Sequence, residues 1–190
     1  RIPATLLISG MGLIEDVDHC VTMDAKQAGN VLLLVGETTE AMGGSHAVMC
    51  CPGLAVDRSL PCTDLVKGPA RAHAIAGLIN SRLLQSAHDC SEGGLLVAAV
   101  EMGMAGGLGL SFESGVLENA SNPYVSLFAE TPSRYLLEVK PDDVAAVETA
   151  LAGHQVTRIG TFHEGDSFDL GDHHLGMVDL KSAWQGGLVI

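Results

Sequence analysis

The sequence predicts an α+β fold in which a mixed β-sheet carries helices packed on one face. First, its 190 residues are 47% hydrophobic, which is enough apolar material for one core and one domain. Second, short apolar runs bounded by glycine, typical of strands, are mixed with longer stretches that have helical spacing. Third, the two kinds of element do not alternate strictly, which disfavours a parallel sheet built from βαβ units.

Short apolar runs predict the strands. Residues 4–9 and Val31–Val35 are the first two, and glycine follows each of them. Three later runs and the tail complete the sheet: strands at 109–113, 135–139 and 156–162, and a short strand pair with one helical turn near 180–184 within residues 169–190.

Helical spacing and end signals predict three helices. One spans residues 69–84, because Pro69 suits a first turn and apolar residues recur every three or four positions. The second spans 91–105, with Ser91 as the N-cap and glycines 106 and 107 as the stop. A third, over 141–151, opens with Pro-Asp-Asp. We expect mostly loop over residues 43–62, which are rich in turn formers.

Charge and composition exclude several classes of function. The net charge of −13 and the lack of basic runs argue against nucleic-acid binding, which needs clustered Lys and Arg. No apolar run reaches the roughly 18 residues of a membrane span. The five cysteines have no disulfide-like spacing, so we expect them to be reduced and mostly buried in a cytoplasmic protein.

The segment from Ser86 to Leu95, SAHDCSEGGL, is the most informative stretch for chemistry. It places titratable and small residues at the predicted start of a helix, where free backbone N–H groups bind anions. Carboxylates there suit Mg²⁺, and a histidine suits proton or hydrogen-bond donation near neutral pH. The candidates are His88, Asp89, Ser91, Glu92, Gly93 and Gly94. The structural alternative is that Ser91 caps the helix, Asp89 bonds local backbone and the glycines serve packing.

Two further segments are weaker candidates. After the strand at Val31–Val35, the loop Gly43-Gly44-Ser45 resembles a phosphate-cradling turn, but no Gly-Lys-Ser/Thr follows as in a Walker motif. Arg134 opens an apolar strand and could pair with a phosphate or with Glu130. The histidines near residues 163–174 lack zinc-site spacing, and we interpret that segment as an exposed turn.

Four ordered segments resemble the phosphoribosylformylglycinamidine synthases, also called formylglycinamide ribonucleotide amidotransferases. They begin GMGLIEDVDHC, SAHDCSEGGL, LFAETPSRY and VTRIGTF. The resemblance is to the C-terminal domain of the second half of those enzymes, and it covers about residues 3–184. It implies a C-terminal domain like that of aminoimidazole ribonucleotide synthetase. We therefore expect one synthetase-type domain over residues 1–190, with an ATP-binding N-terminal domain outside this sequence.

The resemblance also implies a reaction. In this family ATP phosphorylates the amide oxygen of formylglycinamide ribonucleotide, and ammonia from glutamine displaces phosphate from the iminophosphate to give the amidine, a step of purine synthesis. The implied cofactors are ATP and Mg²⁺, with Asp89 and Glu92 as metal ligands and His88 as a catalytic group. The resemblance further implies that His88, Asp89, Ser91, Glu92, Gly93 and Gly94 line the cleft that faces the ATP-binding domain, with Gly43, Gly44 and Ser45 in a neighbouring wall. From the residues alone we also expect Arg134 to bind ligand.

The implied partners are the ATP-binding domain, a glutaminase subunit or domain and the small-molecule substrate, and a homodimer is an open alternative. Two other functions remain open at this point. One is a structural half-domain that holds a non-reacting nucleotide, and the other is a related small-molecule kinase or synthetase. The resemblance also implies that this chain, without the ATP-binding domain, shows no synthase turnover.

Overall fold

A computed structural model describes residues 7–14, 16–118 and 120–186, and within them seven strands form one sheet. The strands are β1 Val31–Val35, β2 Ser86–Asp89, β3 Gly109–Phe112, β4 Tyr135–Val139, β5 Val156–His163, β6 Ser167–Leu170 and β7 His173–Gly176. Their order is β2-β4-β1-β5-β3-β6-β7. Only β3 and β6 are parallel neighbours, and the other adjacent pairs are antiparallel. The α+β class with a mixed sheet is therefore confirmed.

Helices of unequal length surround this sheet. They are α1 His46–Cys50, α2 Lys67–Asn80, α3 Gly94–Gly106, α4 Pro123–Phe128, α5 Val144–Ala150 and α6 Met177–Gly186, with 3₁₀ turns at Val17–His19, Ser114–Glu118 and Pro141–Asp143. In the part of the chain that the structure describes, no helix has the length and apolar character needed to cross a lipid bilayer.

The helices cover both faces of the central strands, not one as the sequence predicted. Leu32 and Leu34 of β1 belong to a core cluster with residues of α3 and α6. Val31, Leu33 and Val35 lie in a second cluster, with residues of α2 and α5. All five residues of β1 are buried. An unbroken apolar run such as VLLLV is the pattern expected of a strand that is covered on both faces.

Several element boundaries differ from the prediction. Residues 4–6 of the first predicted strand lie outside the described residues, and residues 7–9 form no strand. Helix α2 ends at Asn80 because Arg82 adopts a left-handed φ of 58° that helical residues do not take. The predicted loop over 43–62 contains the short α1. The predicted helix over 141–151 is a 3₁₀ turn continued by α5.

The two ends of α3 show one correction and one confirmation. Ser91 is not the N-cap, because Gly93 occupies that position with a φ of 81° and α3 has no side-chain cap. The Ser91 hydroxyl instead donates to Asp89, while Gly94 N–H donates to the Ser91 carbonyl in a turn that precedes the helix. At the other end, Gly107 stops the helix in a left-handed conformation, as predicted.

Two predictions about surface residues are also corrected. Four cysteines, Cys20, Cys50, Cys51 and Cys62, are exposed and only Cys90 is buried. The first three exposed cysteines lie in or beside short 3₁₀ or α-helical segments that have no buried residue. His173 and His174 lie in β7, which pairs with β6 as the strand pair predicted within residues 169–190, so the exposed turn interpreted there is limited to residues 171 and 172.

A buried carboxylate ties the segment before β1 to the edge of the sheet. Glu138 of β4 is fully buried, and its carboxylate accepts hydrogen bonds from the backbone N–H groups of Lys26 and Gln27. The Asn30 side chain and the Ser86 hydroxyl donate to the same carboxylate at 2.7 and 2.6 Å. These contacts fix β2, which carries His88 and Asp89, against β4.

Candidate functional site

The sheet topology brings three separate segments to one edge. Strands β1 and β2 are each antiparallel to β4, so they run in the same direction on either side of it. Their last residues, Val35 and Asp89, both lie opposite Tyr135, the first residue of β4. The loops that follow β1 and β2 and the turn that precedes β4 therefore meet. These are the three segments that the sequence singled out for chemistry.

A polar cavity of about 310 Å³ lies where the β2–α3 turn faces the turn before β4. Three carboxylates, those of Asp89, Glu92 and Glu130, contribute to its lining. The other lining residues are Cys90, Ser91, Pro132, Ser133, Arg134 and Tyr135. The cavity contains the predicted ligand-binding residues Asp89, Ser91, Glu92 and Arg134. A wall so rich in carboxylates suits a metal-bound phosphate better than a bare anion.

Asp89 is the carboxylate best suited to hold a cation. The Ser91 hydroxyl donates to Asp89 and holds the pKa of that carboxyl below its ordinary value, against the opposing effect of partial burial. Because the native pKa is lowered, Asp89 stays ionised at neutral pH and loses its charge only as the pH falls through that lowered value.

The residues of the cavity fit a magnesium ion only as part of its ligand shell. Asp89 and Glu92 line the same cavity, and Mg²⁺ takes oxygen ligands. Within residues 7–14, 16–118 and 120–186, no three His, Cys, Asp or Glu side chains are grouped closely enough to hold a metal. Proteins usually bind Mg²⁺ through one or two carboxylates, and water and substrate phosphate complete its ligand shell. Asp89 and Glu92 are of the type and number that this arrangement needs.

His88 lies between two carboxylates and beside a different cavity. Its Nε2 is 3.1 Å from Glu101 of α3, and its Nδ1 is 3.4 Å from Asp89. His88 lines an apolar groove of about 420 Å³ together with Met104 and Trp184. His88 therefore contacts Asp89 but does not line the polar cavity that Asp89 lines.

The backbone of both glycine-rich loops is already hydrogen-bonded within the chain. Gly43 N–H donates to the Ser59 carbonyl, and Gly93 N–H donates to Glu130. Ser45 is buried, and its hydroxyl accepts from Val48 N–H at the start of α1. A Cβ on Gly43 would lie 2.2 Å from the Arg58 carbonyl oxygen, so that glycine permits a close approach of two chain segments. Phosphate binding by Gly43, Gly44, Ser45, Gly93 and Gly94 stays a prediction.

Arg134 is buried and bonds the chain's own oxygens. Its Nη1 donates to the Thr38 hydroxyl at 2.9 Å, its Nη2 to the Ala129 carbonyl and its Nε to the Thr131 carbonyl. It forms no ion pair with Glu130, which was one alternative from the sequence. Burial lowers the pKa of the Arg134 guanidinium and raises the pKa of the neighbouring Cys90 thiol to about 11. At neutral pH Cys90 is thus a protonated thiol and not a nucleophile.

A second polar cavity of about 300 Å³ adjoins the first and shares Pro132 and Ser133 with it. Here Arg71 of α2 is buried, donates to the Ser133 carbonyl and lies 2.8 Å from the Glu37 carboxylate. Lys67, one turn earlier on α2, contacts the same carboxylate at 3.2 Å. Arg71 and Arg134 thus hold the turn before β4 through its carbonyl groups.

Glu130 is the residue at this edge that sequence reasoning did not assign to the site. Its carboxylate oxygen Oε1 accepts from the N–H groups of both His46 and Gly93. The sequence contains one hint, because an acidic residue directly precedes the Thr-Pro-Ser turn that leads into β4. That hint cannot show that residues 46 and 93 meet there, since only the sheet topology brings them together.

Comparison with known proteins gives a family and several named relatives. Residues 27–173 match the family model for the C-terminal domain of AIR synthase related proteins. The chain is 36% identical over 150 residues to the phosphoribosylformylglycinamidine synthase subunit PurL of Alkaliphilus metalliredigens, which covers 79% of the chain and 20% of that relative. It is 33% identical over 189 residues to PurL of Caldanaerobacter subterraneus, covering 96% of the chain and 25% of that relative. The chain thus spans a quarter or less of these relatives' length.

Solved structures share the fold at low sequence identity. Thermotoga maritima PurL complexed with FGAR superposes with a TM-score of 0.71 at 19% identity, over 86% of this chain and 29% of that one. The complex of the same protein with ATP gives a TM-score of 0.62 at 17% identity, over 84% and 26%. Thiamine-monophosphate kinase from Stenotrophomonas maltophilia gives 0.55 at 15% identity, over 82% and 54%. These likenesses establish the fold.

Proposed function

This chain belongs to the AIR synthase related proteins, as their C-terminal domain, and we propose that it serves a phosphoribosylformylglycinamidine synthase. In that role it is one domain of a ligase of purine synthesis, which uses ATP and ammonia from glutamine to convert formylglycinamide ribonucleotide to the amidine through an iminophosphate. The observation that carries the proposal is the meeting of three sequence segments at one sheet edge, around a cavity lined by Asp89, Glu92 and Glu130. The sequence likeness to PurL subunits supports the choice of reaction.

Asp89 and Glu92 are the residues that we propose to hold Mg²⁺ beside the substrate phosphate. When bound, the metal would neutralise phosphate charge and polarise a phosphoryl oxygen. The chain's own contribution is to present an ionised Asp89, which the Ser91 hydroxyl orients by a hydrogen bond. Arg134 donates hydrogen bonds to the carbonyl groups of Ala129 and Thr131, and it thereby holds the neighbouring turn before β4 in place.

His88 acts in this proposal on Asp89 and not on the substrate. The sequence assigned it a catalytic role, but both of its ring nitrogens face carboxylates, those of Glu101 and Asp89. A ring held in this way fixes the direction of the Asp89 carboxylate, as a group behind a metal ligand often does. His88 is thus a positioning residue in the account that we propose.

The proposed partners are a second domain that binds ATP and a source of ammonia from glutamine. Exposed apolar side chains offer a surface for the first of these, since large patches of this kind mark interaction sites. They lie in the segment before β1 and in the segment between β1 and α2, at Leu7, Ile8, Met11, Leu13, Ile14, Val17, Met49, Leu60, Leu65 and Val66. Association of two copies of this chain is the alternative use of that surface. A cytoplasmic location accords with the five cysteines, all of which are free.

A second candidate function is a scaffold that holds a nucleotide without reacting. The observation that favours a non-reacting role is that the Gly43 and Gly93 N–H groups already have partners within the chain, so they are not free to stabilise a phosphoryl group during transfer. Under this alternative the cavity would bind nucleotide and show no selectivity for formylglycinamide ribonucleotide.

Calorimetric titration of this chain joined to the proposed ATP-binding domain tests the proposal and separates the alternatives. We expect formylglycinamide ribonucleotide and ATP each to bind more tightly with Mg²⁺ than with EDTA, and we expect no synthase turnover by the chain alone. Thiamine monophosphate serves as the control ligand for a related kinase. Tighter binding of thiamine monophosphate, or the same binding with Mg²⁺ and with EDTA, would contradict the proposed function. Binding of ATP without formylglycinamide ribonucleotide would favour the scaffold.

A further inference from the structure

We propose that Glu130 is a positioning residue that locks the two halves of the site together. Its carboxylate joins the glycine-rich loop before α1, residues 43–45, to the β2–α3 turn, residues 90–93. The inference deepens the proposed function and rests on it, because the β2–α3 turn carries the carboxylates assigned to Mg²⁺.

One carboxylate oxygen makes all the contacts. Oε1 of Glu130 is 2.8 Å from the backbone N of His46, 2.9 Å from the backbone N of Gly93 and 3.2 Å from His46 Nδ1. The side chain is only 19% exposed. Glu130 thus bridges two segments that lie 84 and 37 positions away along the chain.

The N–H groups of His46 and Gly93 have no partner within the helices that they begin. His46 is the first residue of α1, and Gly93 directly precedes α3, so neither N–H has an acceptor within its own helix. Helix α3 has no side-chain cap of its own. A carboxylate from a distant segment therefore supplies that cap, where the helix dipole favours negative charge. The bonds are charge-assisted and stronger than bonds between neutral groups.

The backbone on either side of Glu130 is itself held in place. Arg134 donates to the Ala129 and Thr131 carbonyls, which flank Glu130. Arg71 donates to the Ser133 carbonyl in the same turn. Glu130 therefore connects both loops to a fixed base, so that Asp89, Ser91 and Glu92 keep their place relative to residues 43–45. Loss of the carboxylate frees one loop from the other.

Amide hydrogen exchange of the whole chain, followed by NMR, tests the locking role. In Glu130→Ala we expect the protection of the His46 and Gly93 N–H groups to fall by about tenfold or more. Glu130→Gln restores most of it, because its amide oxygen still accepts. The matched control is Glu40→Ala, since the Glu40 carboxylate also joins distant segments, accepting from Ser121 N–H and hydroxyl. Unchanged protection in Glu130→Ala, or an equal loss in Glu40→Ala, would overturn the role.

Ligand titration separates positioning from simple stabilisation. We expect Glu130→Ala to weaken Mg²⁺-dependent binding of formylglycinamide ribonucleotide about tenfold or more, with Gln again restoring it. Glu40→Ala should bind this ligand as the unchanged chain does. The melting temperatures of Glu40→Ala and Glu130→Ala are measured as well, so that a loss of affinity is compared between variants of similar stability. Equal affinity in Glu130→Ala and the unchanged chain would overturn the positioning role and leave the proposed function standing. Absence of binding to the unchanged chain, joined to the proposed ATP-binding domain, would contradict the proposed function alone, and the exchange result would then decide on Glu130.

Discussion

Replacement of Glu138 by leucine is expected to lower the free energy of unfolding by about 3–5 kcal/mol. The buried carboxylate accepts from the backbone N–H groups of Lys26 and Gln27 and from the side chains of Asn30 and Ser86. Leucine accepts no hydrogen bond, so these donors lose their partner in a region closed to water. Each buried polar group without a partner costs about 1–3 kcal/mol. Partial rearrangement of the loop is expected to give some donors a new partner, so the loss of stability is smaller than the sum over all four donors.

Urea denaturation at neutral pH measures this loss. Glu138→Gln retains one oxygen and is expected to cost less than Glu138→Leu. Glu148→Leu, at an exposed position of α5, makes the same change of side chain without burial and is expected to stay within about 0.5 kcal/mol of the unchanged chain. A Glu138→Leu chain as stable as Glu148→Leu would show that the buried carboxylate does not hold β2 in place.

The second large effect is expected at Asp89. Asparagine has nearly the same size and still accepts from the Ser91 hydroxyl, but it carries no charge for a metal ion. Asp89→Asn should therefore weaken Mg²⁺-dependent binding of formylglycinamide ribonucleotide by about 100-fold. Asp89 is more than half exposed, so the melting temperature should change little.

Calorimetric titration with Mg²⁺ and with EDTA measures the effect at Asp89. Asp142→Asn, at an exposed 3₁₀ turn away from the cavity, is the matched control and should bind as the unchanged chain does. Because the native pKa of Asp89 is lowered, Mg²⁺-dependent binding should persist at mildly acidic pH and fall only as the pH passes through that lowered value. Retained binding in Asp89→Asn would move the metal site elsewhere.

The parts of the fold that depend on local pattern could be predicted from the sequence. The apolar runs of β1 and β4 and the glycine stop after α3 are local patterns, and the structure has them where they were expected. Strand β2 was not predicted, because Ser86–Asp89 is short and mostly polar and forms the edge of the sheet. Its pairing with β4 depends on Glu138, which lies 52 positions from Ser86. No local pattern records such a contact.

The site shows the same division between local and distant information. The sequence picked out Asp89, Ser91 and Glu92, and the structure brings them to one cavity. It could not show that Ser91 gives its hydroxyl to Asp89 instead of capping α3, since both uses fit the same residues. Nor could it show that Arg134 is buried or that Glu130 already occupies the Gly93 N–H. Those facts follow from tertiary contacts.

Mn²⁺ substituted for Mg²⁺ reports where the cation binds. In NMR spectra of the chain with formylglycinamide ribonucleotide, Mn²⁺ broadens amide signals near its binding site. We expect the strongest broadening for residues 89–94 and 130–135, with most of it lost in Asp89→Asn. Strongest broadening elsewhere, for instance around Asp169 and His174, or broadening that Asp89→Asn leaves unchanged, would contradict the assignment of this cavity as the functional site.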